Sequence, residues 1–294
     1  MSKLPRVAAV TMVRNEGRML HKWVDHYGGQ LGLDSLVVVD DNSDDGSTDG
    51  LRCRVERIKP ITGEFEPERM KIVSKVGRKL LRDHDAVIFA DADEFLVPDP
   101  ARYADLREFA AARIGREAVG AMCLNVIHHV PGEGALDFDR PVLDQREVVK
   151  FIPLFCKPAL KFVPNSWTTA SHGIQGASYV VDPELFMFHL KFADRDHLAR
   201  IAAHRRAMVE LDGRASETSW QFTSDEMLDL LDRLNADLGP DLSRLEDFVP
   251  RPEVLEGIVK TLPNGITRST GARMVRAMQR RPFRRIPVRF RGTA

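Results

Sequence analysis

The sequence is poor in cysteine and has no excess charge of either sign. Its 294 residues include 3 cysteines, Cys53, Cys123 and Cys156, which lie far apart in the chain. An odd number of widely spaced cysteines argues against a disulfide framework or a zinc site and is typical of a reducing compartment. Lysine and arginine together number 43, as do aspartate and glutamate. Because this balance gives no global basis for binding nucleic acid, no nucleic-acid partner is predicted.

Long apolar runs, secretion signals and nucleotide-binding glycine loops are also missing. No apolar run approaches the roughly 20 residues that a membrane span needs, and residues 1–6 lack the apolar core of a secretory signal. The predicted location is therefore the cytoplasm. Neither a Gly-x-Gly-x-x-Gly pattern nor a Walker-type loop follows the first apolar run, which weighs against dinucleotide-binding and P-loop folds. With 43% hydrophobic and 29% charged residues, the chain should be globular.

What the sequence does contain is three short apolar runs, each followed at once by polar residues. The runs are residues 7–13, 35–39 and 87–90. Nearly continuous apolar segments of this length are typical of strands buried on both faces. The polar clusters that follow them are residues 14–17, 40–50 and 91–94.

The spacing between the first two runs predicts a helix. Met19, Trp23 and Tyr27 recur there at helical intervals. Strand, helix and strand with short links imply a right-handed βαβ unit and a parallel sheet, so the predicted class is α/β. Because ligands of such sheets bind beyond the carboxyl ends of the strands, the polar clusters should converge on one edge. A second predicted helix, residues 66–83, carries cations of which one or two could reach a diphosphate: Arg69, Lys71, Lys75, Arg78 and Lys79.

The third polar cluster brings carboxylates close together. Alternation along an extended chain puts Asp91 and Asp93 on one side, with the small Ala92 between them. Two carboxylates at the end of a buried strand repel each other and lose hydration, so they favour a bound cation. Hard oxygen ligands suit Mg²⁺ or Mn²⁺, which often shares a substrate's phosphates. The alternative is an acidic loop that only ends the strand.

Three motifs resemble those of family 2-like glycosyltransferases of the GT-A (nucleotide-diphospho-sugar transferase) fold. They are Met12-Val13-Arg14-Asn15-Glu16, Val39-Asp40-Asp41-Asn42-Ser43-Asp44-Asp45-Gly46-Ser47-Thr48 and Asp91-Ala92-Asp93-Glu94-Phe95-Leu96. The resemblance covers residues 6–100 and continues loosely through His172-Gly173 and His189-Leu190-Lys191. The Asp-x-Asp-Glu-Phe form is similar to a short bacterial branch of that family. The predicted fold is then GT-A, a mostly parallel central sheet flanked by helices, with a helical C-terminal extension.

The resemblance implies a nucleotide pocket and a metal site. The residues of the first strand and turn that would line the nucleotide pocket are Thr11, Arg14, Asn15 and Glu16. Asp40 or Asp41 would accept a hydrogen bond from the N3–H of a uracil-like base, a donor that adenine lacks there. Asp91 and Asp93 would hold Mn²⁺ or Mg²⁺ against the diphosphate, and Glu94 beside them completes the predicted catalytic centre.

Two roles stay open in the sequence. An inverting reaction, usual in that family, needs a carboxylate base to deprotonate the acceptor hydroxyl. The aspartates considered for it are Asp137, Asp139, Asp144, Asp182, Asp194 and Asp196. The resemblance implies that His172 and His189 complete the metal or diphosphate site, and the alternative is that each is a satisfied core histidine. Trp167 could stack on a sugar ring or pack in the core.

The predicted division of the chain is a GT-A domain at 1–195 and a helical extension with a basic tail at 196–294. Residues 273–291 contain eight arginines and no acid. These arginines could pair with the acid-rich segment 225–247 or dock the protein on an anionic surface such as a membrane leaflet. The apolar residues between them suit an interfacial segment as well as a packed strand: Phe283, Ile286, Val288 and Phe290.

The predicted function is metal-dependent transfer of a sugar from a nucleotide diphosphate, with a UDP-sugar as the expected donor. The acceptor would be a glycan, a lipid-linked group or another hydroxyl, and the reaction would invert the sugar. One alternative is a catalytically inactive module that binds a nucleotide or a glycan. Another is a sugar nucleotidyltransferase, which normally carries a Gly-rich basic loop after the first strand.

Overall fold

The computed structural model describes residues 3–61, 64–213 and 219–294. The first part of the chain forms β1 (Val7–Val13), α1 (Arg18–Leu31), β2 (Leu36–Asp40), β3 (Arg54–Arg57), α2 (Phe65–Leu80), β4 (Ala86–Phe89), β5 (Glu94–Pro98) and α3 (Leu106–Ala111). The middle part forms β6 (Ala118–Ile127), β7 (Val148–Phe151), β8 (Leu160–Lys161), β9 (Gly173–Gln175) and β10 (Tyr179–Phe192). The last part forms α4 (Arg195–Asp212), α5 (Ser224–Leu238), α6 (Pro252–Leu255), β11 (Val259–Thr261), β12 (Ile266–Ser269), α7 (Met274–Arg280) and β13 (Arg284–Arg285).

The strands β1, β2 and β4 are buried along their whole length, as their apolar sequences predict. β1 pairs in parallel with β2 on one side and β4 on the other, so that Val10 lies opposite Val37 and Phe89. β3 continues the parallel arrangement beyond β2. The predicted βαβ unit is confirmed, and the carboxyl ends of β1, β2 and β4 lie at one edge of the sheet.

The central 10-stranded sheet has the order β13-β7-β6-β8-β4-β1-β2-β3. β8 runs antiparallel to β4 and β6, and β7 runs antiparallel to β6. β10 lies parallel to β6 and antiparallel to β5, where His189 stands opposite Glu94. The predicted fold class, an α/β fold with a central sheet flanked by helices, is confirmed.

Helices cover both faces of this sheet. α1 buries Met19 and Tyr27 against one face, at the helical spacing seen in the sequence. α2 buries Met70 and Val73 in a second core on the other face, and Trp167 belongs to this core. Trp167 is 2% exposed and donates its indole N–H to the carbonyl of Pro158. Because its ring is enclosed, Trp167 is a core residue and does not stack on a sugar.

The C-terminal part supplies strands as well as helices. α4 packs against α5, while β11 and β12 form a 3-stranded sheet with β9. β13 joins the central sheet beside β7. The extension predicted as helical therefore also completes both sheets, and the boundary at 195 remains a prediction. Within the described ranges, no helix combines the length and the apolarity needed to cross a membrane.

Candidate active site

A cavity of about 670 Å³ lies at the carboxyl ends of β1, β2 and β4. The residues singled out in the sequence that line it are Arg14, Glu16, Asp41, Asp91, Asp93, Glu94, His172 and His189. The predicted convergence of the three polar clusters is therefore observed. Thr11, Asn15 and Asp40 are not among the lining residues.

Asp93 is buried in a cationic environment. Its Oδ2 lies 3.4 Å from Nε2 of His189 and 3.4 Å from Nη2 of Arg205. Burial raises the pKa of Asp93, but His189, Arg205 and Lys191 outweigh this effect and hold the pKa well below its ordinary value. Asp93 is therefore an ionised carboxylate at neutral pH.

The orientation of His189 is fixed by Asn125 on β6. Nδ1 of His189 lies 2.7 Å from Oδ1 of Asn125, whose amide nitrogen donates to the sulfur of Met278. The oxygen of Asn125 therefore accepts from Nδ1–H, which directs the other ring nitrogen, Nε2, toward Asp93. A cation or a proton can therefore lie between Nε2 of His189 and the carboxylate of Asp93.

Asp91 and Glu94 share one lysine. Nζ of Lys157 lies 3.4 Å from Asp91 and 2.7 Å from Glu94, and Asp91 also pairs with Arg69. Burial raises the pKa of Asp91, but Arg69 and Lys157 prevail and lower it to about 2. For Glu94 burial prevails, so its pKa is raised even though Lys157 opposes the rise. Glu94 also accepts a hydrogen bond from the backbone N–H of Asp91 at 2.9 Å, which fixes the turn that carries both aspartates.

Asp40 and Asp41, at the end of β2, have different surroundings. The carboxylate of Asp40 accepts from the backbone N–H of Ser43 at 2.8 Å and from Nε of Arg57 at 2.9 Å. Asp40 thus holds the loop after β2, which corrects the prediction that either aspartate could read the base. Asp41 is the one that lines the cavity.

Asn15 and Thr11 belong to the scaffold. Asn15 adopts a left-handed backbone conformation with φ of 58°. Its side chain donates to Asp44 at 2.8 Å and its backbone N–H donates to Oγ of Ser43 at 3.1 Å, which ties the turn after β1 to the loop after β2. Thr11 is 0% exposed within β1. The prediction that both residues line the nucleotide pocket is therefore corrected, since they hold its walls in place.

Glu16 lines the cavity and is half-buried. Among the described residues, its carboxyl group has no hydrogen-bond or ion-pair partner. Burial raises the pKa of Glu16 to about 7; Arg205 opposes the rise, and Asp93 and Asp91 add to it. Glu16 is therefore a carboxyl group that can change its charge near neutral pH.

The donor chemistry of the cavity suits a divalent cation. Asp91 and Asp93 offer carboxylate oxygens, and His189 offers the nitrogen directed at Asp93, a set that Mn²⁺ accepts readily. His172 also lines the cavity, and burial, Lys157 and Arg268 lower its pKa to about 3, so its ring is neutral. Within residues 3–61, 64–213 and 219–294, no group of three or more histidine, cysteine, aspartate or glutamate side chains has the geometry of a metal site. The residues fit an ion that takes one or two carboxylates and completes its shell with phosphates and water.

None of the six aspartates considered as the catalytic base lines the cavity. Asp182 is bound by Arg113 at 2.6 Å, and Asp194 caps α4 by accepting from the backbone N–H of His197. Asp137, Asp139 and Asp196 are exposed, and Asp144 accepts from the backbone N–H of Gly292 at 2.7 Å. None of the six is therefore directed at the cavity, and the base stays unassigned.

The cations of the cavity are the functional residues that sequence reasoning mostly missed. Of the cations on α2, the structure selects Arg69. The others come from later elements: Lys157, Lys191, Arg205, Arg268 and Arg273. Alternation along a strand could have indicated Lys191, which shares a side of β10 with His189. The remaining four carry no local signal, because their approach to the cavity depends on contacts between distant parts of the chain.

No protein-family model and no curated protein matches the chain. Among solved structures, it is similar to glucosyl-3-phosphoglycerate synthase from Mycobacterium tuberculosis in complex with Mn²⁺, UDP and glucosyl-3-phosphoglycerate. That match has 19% identity and a TM-score of 0.28, and covers 40% of this chain and 44% of the synthase. The chain thus spans less than half the length of that protein.

Two further solved structures show similarity over more of the chain. A mannosyltransferase from Pyrobaculum calidifontis in complex with GDP-Man and Mn²⁺ matches at 18% identity and a TM-score of 0.36, over 80% of this chain and 75% of that one. A mannose-1-phosphate geranyltransferase from Thermus thermophilus matches at 11% identity and a TM-score of 0.28, over 80% and 66%. At such TM-scores the shared architecture is partial, so a functional assignment has to rest on the residues of the cavity.

Proposed function

We propose that the protein is a glycosyltransferase that moves a sugar from a nucleotide diphosphate to a hydroxyl acceptor. One observation carries this proposal: Asp41, Asp91 and Asp93 line the same cavity, although they follow two different strands of the parallel sheet. In this proposal the carboxylate beyond β2 binds a base, and the pair beyond β4 binds a cation at the diphosphate. The cavity volume of about 670 Å³ lies within the range of about 300–1,000 Å³ that is usual for ligand-binding pockets.

The donor we propose is a UDP-sugar. Asp41 can accept from the N3–H of uracil, and Arg14, after β1, can donate to the ribose or to a phosphate. Arg69 and Lys157 lie beside Asp91, where they can bind the phosphate oxygens. Sequestering the diphosphate among these fixed charges stabilises the negative charge that grows on it as the glycosidic bond breaks.

Asp91 and Asp93, together with His189, would hold a Mn²⁺ or Mg²⁺ ion, which when bound neutralises the leaving diphosphate as a Lewis acid. Asn125 keeps Nε2 of His189 directed at this position. Inversion, which remains part of the proposal, calls for a carboxylate near the acceptor hydroxyl. The carboxylates that line the cavity are the candidates for it. A cytoplasmic location and a glycan or lipid-linked acceptor are likewise proposals.

The test is donor hydrolysis in the absence of acceptor. Purified protein is incubated with a panel of UDP-, GDP- and ADP-sugars, with Mn²⁺ or with excess EDTA, and release of the nucleotide is measured. We expect slow release from a UDP-sugar with Mn²⁺ only. Asp93→Asn should keep the fold and lose about two orders of magnitude in turnover, the scale typical for removal of a preorganised charge.

Asp34→Asn is the matched control, since Asp34 is exposed and lies outside the cavity. It should hydrolyse the donor at the wild-type rate. Full turnover by Asp93→Asn, or by the wild type in EDTA, would contradict the metal role. Tight binding of UDP without hydrolysis of any donor would instead identify an inactive binding module.

A further inference from the structure

Two arginines line the cavity without an acidic partner. Arg69, Lys157 and Arg205 each pair with a carboxylate of the cavity. Arg268 and Arg273 also line it, yet neither has a carboxylate within ion-pair distance among the described residues. Arg268 is half-buried, and its Nε makes only a long 3.4 Å bond to the carbonyl of Ser269. A guanidinium that stays charged at every physiological pH is thus left with unused donors.

The fold places these arginines at the side of the cavity away from the nucleotide residues. Ser269 of β12 donates its hydroxyl to the carbonyl of Leu154 at 2.6 Å and its N–H to the carbonyl of His172 at 3.0 Å. Residues 266–275 are thereby held against the loop after β7. In the sheet order, β7 lies on one side of β4 and β2 on the other. The strand that leads to Asp91 and Asp93 therefore stands between the arginines and Asp41.

A glycine makes this approach possible. Gly271 lies between the two arginines with φ of 152°, and a Cβ there would come within 3.2 Å of the backbone nitrogen of Leu154. Any residue other than glycine at position 271 would push residues 268–273 away from the loop. The position of both guanidinium groups thus depends on close packing of the backbone against the cavity wall.

The immediate surroundings favour a negatively charged ligand. Lys157 and Arg268 both lie close enough to the ring of His172 to lower its pKa. Two unpaired arginines provide several donors for one small anionic group, and the guanidinium fork matches carboxylate and phosphate oxygens in particular.

We infer that the acceptor carries an anionic group, a carboxylate or a phosphate, which Arg268 and Arg273 bind at the side of the cavity opposite Asp41. The inference rests on the proposed function in that it assigns this side of the cavity to the acceptor. Carboxylate and phosphate share the chemistry that the arginines recognise, so the experiment below includes both.

The test measures by calorimetry the binding of three hydroxyl compounds that share a three-carbon skeleton: glycerol 3-phosphate, glycerate and glycerol. Titrations use the full chain, with and without UDP. We expect at least one anion to bind and glycerol to bind at least about tenfold more weakly. Arg268→Gln and Arg273→Gln should each weaken anion binding by about tenfold or more, since each removes a charge-assisted contact. The same variants should weaken UDP binding by a smaller factor.

Arg276→Gln is the matched control, because Arg276 is exposed on α7 and does not line the cavity; it should bind the anions as the wild type does. Arg268→Lys should restore part of the affinity through its charge. Arg273 is exposed, so its variant tests the site even if substitution of Arg268 disturbs the fold.

Several outcomes would overturn the inference. One is that neither anion binds more tightly than glycerol, and another is that both glutamine variants bind like the wild type. Equal losses of UDP and anion binding would mean that the arginines hold the donor diphosphate. Failure of the proposed function is distinguishable, since the protein would then release no nucleotide from any donor whatever the anion titrations show.

Discussion

Carboxyl groups of the same cavity have very different proton affinities, and individual contacts explain each one. Asp91 and Asp93 have lowered pKa values because cations outweigh their burial. Glu94 has a raised pKa although it shares Lys157 with Asp91. Glu16, without a hydrogen-bond or ion-pair partner among the described residues, has the pKa of about 7. The carboxylates that would bind a cation are thus kept ionised, while a neighbouring one can take up a proton near neutrality.

The raised pKa of Glu16 makes a prediction for stability. The ordinary value is 4.5 and burial raises it to about 7 in the folded protein. A group with a raised folded-state pKa contributes its full stability below the ordinary value, and this contribution is lost as the pH rises through the folded-state value. We expect Glu16→Gln, which cannot ionise, to match the wild type near pH 4.5. It should become more stable by about 1–3 kcal/mol as the pH rises to about 7.

Urea unfolding of both proteins across this pH range measures the difference directly. Glu256→Gln serves as the control for the loss of a carboxylate, since Glu256 is exposed and does not line the cavity. A Glu16→Gln difference that stays constant from pH 4.5 to 7 would show that Glu16 ionises normally in the folded protein.

For single residues, the sequence predicts where the acidic side chains lie better than it predicts which residues bind them. Asp91 and Asp93 follow an apolar strand, and the alternation of a strand suffices to place them together. The choice between Asp40 and Asp41 depends on Ser43 and Arg57, which bind Asp40. Adjacent residues at a strand end look equivalent in the sequence, so no local pattern could have made that choice.

Among the secondary-structure elements, α7 is linked to the central sheet through a buried lysine. Nζ of Lys150, on β7, donates to the carbonyls of Met278 at 2.6 Å and Arg281 at 2.9 Å, and it lies 3.6 Å from the ring centre of Phe283. Lysine often binds the last carbonyls of a helix, which have no partner within the helix itself. Lys150 therefore links the end of α7 to the central sheet. Because Arg273 directly precedes this helix, the same link helps to position the cavity wall.

We expect Lys150→Met to lower the free energy of unfolding by about 1–3 kcal/mol. Methionine keeps most of the apolar stem but leaves one buried and one partly buried carbonyl without this donor, and that desolvation cost is of this size. Chemical denaturation provides the measurement. Lys260→Met, at an exposed position of β11, should change stability much less. If both substitutions have equal effects, the carbonyls of α7 are satisfied without Lys150.

The long elements were predictable and the short ones were not. β1, β2 and β4 have apolar runs, and α1 has a helical repeat. β13 has only two residues, and β9 and β11 have three each. Strands this short contain no periodic pattern, since their pairing depends on the neighbour that the rest of the fold provides. The C-terminal extension was predicted as helical for this reason.

On the scale of the whole molecule, the basic tail is built into the fold. Phe290 is 0% exposed, and its ring lies 4.6 Å from Phe186 and 5.2 Å from Phe188. Ile286 is also buried, and the carbonyl of Ala294 accepts from the backbone N–H of Val142. Ile286 and Phe290 therefore complete the core behind β10, as the packed alternative predicts, whereas Val288 is 68% exposed.

Apart from Arg273, which lines the cavity, the arginines of the tail divide into two groups. Arg284, Arg285, Arg289 and Arg291 pair with Glu246, Glu147, Asp99 and Glu147 respectively. Only the first of these acids lies in the acid-rich segment 225–247, so the predicted pairing is right for one arginine and the other partners come from elsewhere. Arg276, Arg280 and Arg281 are exposed and have no carboxylate partner among the described residues. Peripheral contact with a membrane remains a prediction, and these three residues are the ones that could make it.

A truncation after Gly271 separates the structural role of the tail from any surface role. It removes α7, β13 and the buried Phe290, and a single buried phenylalanine replaced by alanine typically costs about 3–5 kcal/mol. Since the whole domain is expected to be stable by only about 5–15 kcal/mol, we expect the truncated chain to lose cooperative thermal unfolding.

The triple variant Arg276→Gln, Arg280→Gln and Arg281→Gln leaves the core intact and should melt like the wild type. Sedimentation of that variant with vesicles containing anionic lipid then tests the surface role alone, because each exposed arginine at such a surface contributes about 1 kcal/mol. Sedimentation equal to that of the wild type would rule out membrane docking through these arginines, and a truncated chain that melts cooperatively at the wild-type temperature would show that the tail is not required for the fold.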